Sequence, residues 1–396
     1  MHGVPSDAVP RASGAAIHFV QDFSISTSFT WISADAVRAL HALGHQVSVQ
    51  PGRIAATVEP AAVDLLRRLQ APARPDQAHV RWSHYWEPYA RQSLAGAVNL
   101  DIVALNHALV QPTGSPSDRW MEALARAHTV KLAISQFTRN TVLQNGVDPR
   151  RIALWNLGYT PEIDTVADAR ALDGAPGFRF LHVTNATDPA RFGTDLVLDA
   201  FAQEFGPDDG VSLVVKDHNP AGDAIRELIA NAAPRAPLRY LAEYSSRATL
   251  VRAYRACHAL AAPFRGEGYG IKVVDALACG LPVIAPLFCG ITDFCNHDRI
   301  FALDYQCEDA RPCVDVVALG PSGRPVWCLP VIQSICARMR EVAAQPARAR
   351  SRAAAAERYV KKWFSWADAA RTLVEIVTRL ESPDGQTGAV DTPAPA

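Results

Sequence analysis

No run of about 18 apolar residues occurs in the 396-residue chain, so no segment reads as a membrane-spanning helix. Neither charge sign is in excess. Lys and Arg total 39 against 40 Asp and Glu, which gives nothing global to attract nucleic acid or a strongly anionic surface. The eight cysteines (257, 279, 289, 295, 307, 313, 328 and 336) include no CxxC pair, so a structural zinc site is not expected. Five cysteines fall between 289 and 328, which suits a local disulfide, but the opening stretch MHGVPSDAVPRASG is polar and is no secretory signal, so reduced thiols in a cytoplasmic protein are the expectation. No repeat of solenoid length is present. No GxGxxG follows the first apolar strand with an acid about twenty residues on, which argues against a dehydrogenase. What remains is 49% hydrophobic and 20% charged, a globular composition, and the length suits two domains better than one.

The most informative stretch is RGEGYGIKVVDALACGLPVIAP, residues 265–286. HALAAPF before it reads as a short buried strand. Gly266, Gly268 and Gly270 surround Glu267 and Tyr269 in a tight loop. Ile271, Val274, Leu277 and Ala278 recur at helical spacing, and Gly280 is placed to end that helix in a left-handed cap. LPVIAP is the next strand. Strand, glycine loop, helix, strand is the grammar of a parallel sheet. The helix start offers unpaired N–H groups and a positive dipole end, which suit a phosphate, and glycines let backbone approach a ligand closely. Lys272 in the first turn opposes the dipole by roughly 0.3–1 kcal/mol, and a bound anion would remove that penalty. Glu267 and Asp275, eight positions apart, suit sugar hydroxyls. A glycine turn with no ligand is the alternative reading of the same spacing.

The rest of the chain repeats this grammar. AAIHFVQDF, TWISADAVRALHALG and HQVSVQPG form a first βαβ unit. HVRWSHYWEP carries Trp82, His84, Tyr85 and Trp86, suited either to stacking on a sugar or to the core. NLDIVALNH is a strand with Asn106 and His107 at its carboxyl end, where ligands of open α/β sheets bind. Residues 159–178 read as a linker. A second α/β series follows, with Arg191 in its first loop and Lys216 at the end of its second strand, read as a phosphate contact or a solvated strand end. Residues 304–328 read as a loop. Residues 345–362 form a basic helix with Arg348, Arg350, Arg352, Arg358, Lys361 and Lys362, read as a solvated face or as contact with an anionic membrane.

EGYG followed by VDALACGLPVI resembles the acidic-x7-acidic signature of the family 4 (group 1) retaining glycosyltransferases, commonly EGFG then LEAMACGxPVI. Residues 137–159 and the FSW-then-helix ending resemble the family as well. Three departures stand out: Asp275 replaces the usual Glu, and Asn185 and Phe192 replace the loop Arg and Lys.

The resemblance implies the GT-B architecture, two Rossmann-like doubly wound α/β domains facing a cleft. The expected layout is a flexible leader over 1–14, an acceptor domain over 15–165 completed by helix 364–381, a donor domain over 176–362 and a disordered tail over 382–396. The implied function is sugar transfer from a nucleotide-diphosphate sugar to a glycan or lipid-linked acceptor with retention. Glu267 and His107 would stand at the reacting centre. Arg191, Lys216, Gly268, Tyr269, Gly270, Lys272 and Asp275 would hold the donor, Asp275 at its ribose. No metal or other cofactor is expected, because no Asp-x-Asp motif is present. A sugar-nucleotide 2-epimerase and a nonenzymatic nucleotide-sugar-binding protein are the alternatives.

Overall fold

The computed structural model describes residues 15–24, 28–82, 94–106, 108–110, 124, 128–166, 177–218, 220, 222–243, 246–309 and 324–382. Two six-stranded sheets organise them. The first is built from β1 (Ala16–Phe19), β2 (Gln46–Val49), β3 (Ala78–Trp82), β4 (Val98–Val103), β6 (Val130–Ala133) and β7 (Ile152–Leu154). Its spatial order is β2-β1-β3-β4-β6-β7, and every pairing is parallel. The second contains β8 (Phe178–Thr184), β9 (Val211–Asp217), β10 (Leu238–Ala242), β11 (Ala259–Ala261), β12 (Val283–Pro286) and β13 (Phe301–Leu303). It is also parallel throughout, in the order β10-β9-β8-β11-β12-β13. That is the doubly wound Rossmann order. FRFLHVT and VSLVVKD read as near-continuous apolar runs because helices cover both faces of a parallel sheet.

Helices supply those covers. α1 (Ser28–Ala42) buries Ile32, Ala36, Val37 and Leu40, one face at helical spacing. α2 (Pro60–Arg68) and α3 (Gln136–Gln144) complete the first domain's described helices. The second domain adds α4 (Pro189–Phe192), α5 (Thr194–Glu204), α6 (Ala224–Ala232), α7 (Arg247–Ala256), α8 (Ile271–Ala278), α9 (Ile332–Ala344) and α10 (Pro346–Trp363). α11 (Trp366–Glu381) returns to the first domain and packs on α1. Trp155 Nε1 donates to Ala369 O at 2.8 Å, and Tyr159 N donates to Phe364 O at 3.0 Å, which pins that return.

One expectation changes here. Much of 304–328, read from the sequence as loop, belongs to strands β14 (Tyr305–Asp309) and β15 (Arg324–Pro330). They pair antiparallel with each other, and β15 pairs with β5 (Ala108–Val110) of the first domain. This third sheet bridges the domains, and its partner strand lies some two hundred residues away in sequence, so local pattern carries no trace of it. The basic helix α10 turns Ala349, Ala353, Ala356 and Val360 inward. Arg352 donates to Ile300 O at 3.0 Å, and Lys361 pairs with Glu357 at 3.1 Å. Trp82 is buried, donates to Ser33 Oγ at 3.0 Å and packs on Phe29, so this member of the aromatic cluster is core. The other three aromatic-cluster residues lie outside the described segments. Among the described residues, no helix is long and apolar enough to cross a membrane.

Candidate active site

In the second sheet the order in which successive strands are added reverses between β8 and β11, and ligands of such sheets bind beyond the carboxyl ends at that point. Two loops meet there. One runs from β8 through Asn185 and Asp188 to Arg191; the other runs from β11 through Phe264 to Gly270. Arg265 N donates to Arg191 O at 2.8 Å and ties them together. The Arg265 guanidinium is fully buried and makes two parallel bonds to Asp195 at the start of α5, 2.8 and 2.6 Å long. Such a fork fixes both loops to the helix behind them. Sequence reasoning left Arg265 and Asp195 out of the site; only their contact in space identifies them.

α8 is apolar almost all round and lies inside the molecule. Its two charged residues therefore need partners. Lys272 Nζ sits 2.6 Å from Glu267 Oε2, across the loop. It also lies 4.0 Å from the Phe192 ring centroid, and the Arg191 guanidinium lies 4.4 Å from the same centroid. Arg191 Nε is 2.7 Å from Asp188 Oδ2, and Arg191 Nη1 donates to Gly266 O at 3.2 Å. Burial pulls the Lys272 ammonium below the usual lysine range, Glu267 pulls it back up, and Arg191 adds repulsion. His218, just past β9, also packs against Phe192, with ring centroids 5.8 Å apart. Burial, then the Lys272 charge, push His218 down to about 4, so its imidazole is neutral, and its Nδ1 has no partner among the described residues. Sequence reasoning missed His218.

Glu267, Lys272 and Arg191 are therefore brought together. The other candidates are engaged elsewhere. Lys216, read as a phosphate contact or a solvated strand end, is not a solvated strand end. It is buried, and its ammonium donates to Asp217 O and Glu243 O, both at 2.8 Å, at the ends of β9 and β10. Tyr269 is buried, with its hydroxyl on Leu157 O. The Gly268 N–H is given to Asn106 Oδ1 at 2.9 Å. A Cβ on Gly266 would meet Asn106 O at 2.0 Å, and one on Gly270 would meet Ile291 Cγ2 at 2.4 Å. These glycines admit protein atoms: the first domain's β4 exit presses on the loop. His107 lies outside the described residues.

Asp275, expected at the donor ribose, is buried and turned toward the linker. Its carboxylate accepts from Thr160 N at 2.7 Å and Thr160 Oγ1 at 2.6 Å. Arg247 at the start of α7 donates to Thr160 Oγ1 at 2.8 Å, pairs with Asp35 of α1 and lies 3.4 Å from Glu162. This network joins the two domains around a cavity of about 30 Å³ lined by Trp31, Asp35, Thr160, Arg247, Asp275 and Trp366, room for a water or so.

Burial pushes the Asp275 and Asp35 carboxyls up to about 6. The sign follows. A carboxyl raised above its unfolded value holds its proton longer in the folded state, so the stability linked to it is full below pH 4 or so and is lost as pH rises through about 6. Asp275→Asn should therefore gain melting temperature relative to the parent as pH goes from 4.5 to 7.5. A gap between the two that stays constant across that range removes Asp275 as the titrating group. Among the described residues, no cluster of His, Cys, Asp and Glu could hold a metal ion.

Two facing Rossmann-type domains with a charged loop at the second switch point define a GT-B glycosyltransferase architecture. The Anabaena protein Alr3699/HepE, solved in complex with UDP and glucose, shares it over 92% of this chain and 99% of its own, with a TM-score of 0.64 at 13% identity. The family described as "Family 4 Glycosyltransferase in conflict systems" matches residues 122–373, more than half of the chain, and the chain belongs to that family. Among curated proteins, the lipopolysaccharide core biosynthesis mannosyltransferase LpsB of Rhizobium meliloti (strain 1021) is 26% identical over 218 residues, 52% of this chain and 59% of that one. The D-inositol 3-phosphate glycosyltransferase of Jonesia denitrificans is 30% identical over 150 residues, 36% and 35% of the two chains. The matches thus span 59% and 35% of these relatives' own lengths.

Proposed function

We propose that this protein transfers a sugar from a nucleoside-diphosphate sugar to a hydroxyl of a glycan or lipid-linked acceptor, with retention at the anomeric carbon. The observation that carries the reading is the Glu267–Lys272 pair beside Arg191 at the β8/β11 switch point. Transfer breaks the bond between the anomeric carbon and the diphosphate oxygen, and negative charge grows on that oxygen. A dehydrated ammonium and a guanidinium, each held in place by a carboxylate, are preorganised for such charge and need no rearrangement as it develops. Retention requires the acceptor oxygen to arrive on the face the diphosphate leaves. The acceptor proton then has a ready destination in the departing phosphate oxygen. Glu267 keeps 16% of its side chain exposed against 7% for Lys272, so the carboxylate is the part of the pair a sugar hydroxyl reaches. Alr3699/HepE, solved with UDP-glucose, and LpsB, named a mannosyltransferase, lend support to a nucleotide-sugar donor and to sugar transfer.

The test is incubation with UDP-, GDP-, ADP- and dTDP-sugars and glycan acceptors, followed by NMR of the product linkage. A glycoside with the donor's anomeric configuration is expected. An inverted linkage overturns retention. An epimerised sugar formed without acceptor selects the 2-epimerase reading, and tight donor binding with no product from any acceptor selects the nonenzymatic one.

A further inference from the structure

Cys307 and Cys328 face each other across β14 and β15. The bonding around them fixes what kind of pair they make. Val331 N donates to Asp304 O at 2.9 Å, and Cys328 N points the other way, to Arg265 O at 2.9 Å. Bonded and non-bonded pairs alternate along an antiparallel ladder, so the pairs are bonded at 304/331 and 306/329 and non-bonded at 307/328. Opposed residues at a non-bonded position sit about 4.5 Å apart at Cα, with side chains on one face. A disulfide spans Cα separations of about 4.4–6.8 Å. Cys307 is exposed, whereas Cys328 is fully buried with its thiol on Phe264 O at 3.2 Å.

We propose that Cys307 and Cys328 are a thiol pair that closes into a reversible intramolecular disulfide. Exposed Cys307, as thiolate, attacks one sulfur of a low-molecular-weight disulfide and releases one small thiol. Cys328 then attacks the Cys307 sulfur and releases the second. The two protein thiols are oxidised by two electrons, the reagent disulfide is reduced to two thiols, and the two cysteine protons pass to the released thiolates. The modified strand is the one that pairs with β5 of the first domain and holds Arg265 O, two residues before Glu267. The bond therefore staples the interdomain sheet directly behind the site loop.

The test is oxidation of the reduced full-length chain with glutathione disulfide, followed by intact mass and peptide mapping under non-reducing conditions. The expected product has lost the mass of two hydrogens, contains one peptide joining Cys307 to Cys328, and reverts with dithiothreitol. Cys307→Ser changes an exposed position and should fold normally while forming no such bond. A glutathione adduct that persists on Cys307, or a bond joining any other two cysteines, overturns the proposal.

Discussion

Replacing Glu267 by Gln should lower the rate of sugar transfer by roughly 10²–10³-fold, the usual effect of removing one preorganised charge group from a reacting centre. The side chain keeps its shape, and its amide oxygen still accepts from Lys272. What is lost is the negative charge that holds a dehydrated ammonium in position beside Phe192. Lys272 already has its proton affinity reduced by burial and by Arg191, and Glu267, ahead of Asp188, does most to restore it. Without that carboxylate Lys272 is either an unbalanced cation next to the Asp188-paired Arg191 or a neutral amine. The neutral amine no longer faces a leaving diphosphate with a charge, and in either state the sugar hydroxyls lose the carboxylate they would donate to. The measurement is kcat with a fixed donor, alongside circular dichroism and thermal melting. Near-parental transfer by a folded Glu267→Gln protein would remove Glu267 from the chemistry.

Arg247→Met should cost about 3–5 kcal/mol of stability, the range for breaking a buried ion pair by removing one partner. Arg247 joins Asp35 of the first domain, Glu162 and Thr160 in the linker, and through Thr160 the Asp275 carboxylate of α8. Deleting it leaves Asp35 buried at 2% exposure, with Arg38 Nη1 at 3.6 Å as its remaining cation among the described residues. Denaturant unfolding measures the loss. The double variant Asp35→Leu/Arg247→Met should recover part of it, because no orphaned charge remains. If Arg247→Met alone unfolds at the parental denaturant midpoint, the network does not hold the domains together.

The comparison of sequence with structure separates two kinds of information. Residues 258–286 are legible because their signals are local: apolar strands, a glycine loop and a helix at regular spacing, which the structure realises as β11, α8 and β12. The second sheet follows from the same grammar. What is not legible depends on where charged side chains meet. Lys216 ends a strand in a way that suits a phosphate, yet it satisfies strand-end carbonyls. Gly266 and Gly268 suit a ligand, yet Asn106 of the other domain fills the space they leave. Asp35, Glu162 and Arg247 carry no local signal, because the burial that pairs them exists only once both domains are assembled. Lys272 is the informative middle case. Its awkward place in a first helical turn is visible in sequence, and its partner Glu267 is five residues away.

The most direct measurement is calorimetric titration of UDP and GDP into the parent protein and into Lys272→Met. One of the two nucleoside diphosphates should bind the parent, and its affinity should fall by about tenfold or more in the variant, since a charge-assisted contact to phosphate contributes roughly 1.5–3 kcal/mol. Equal affinity for parent and variant would contradict the placement of the diphosphate at the Glu267–Lys272 pair.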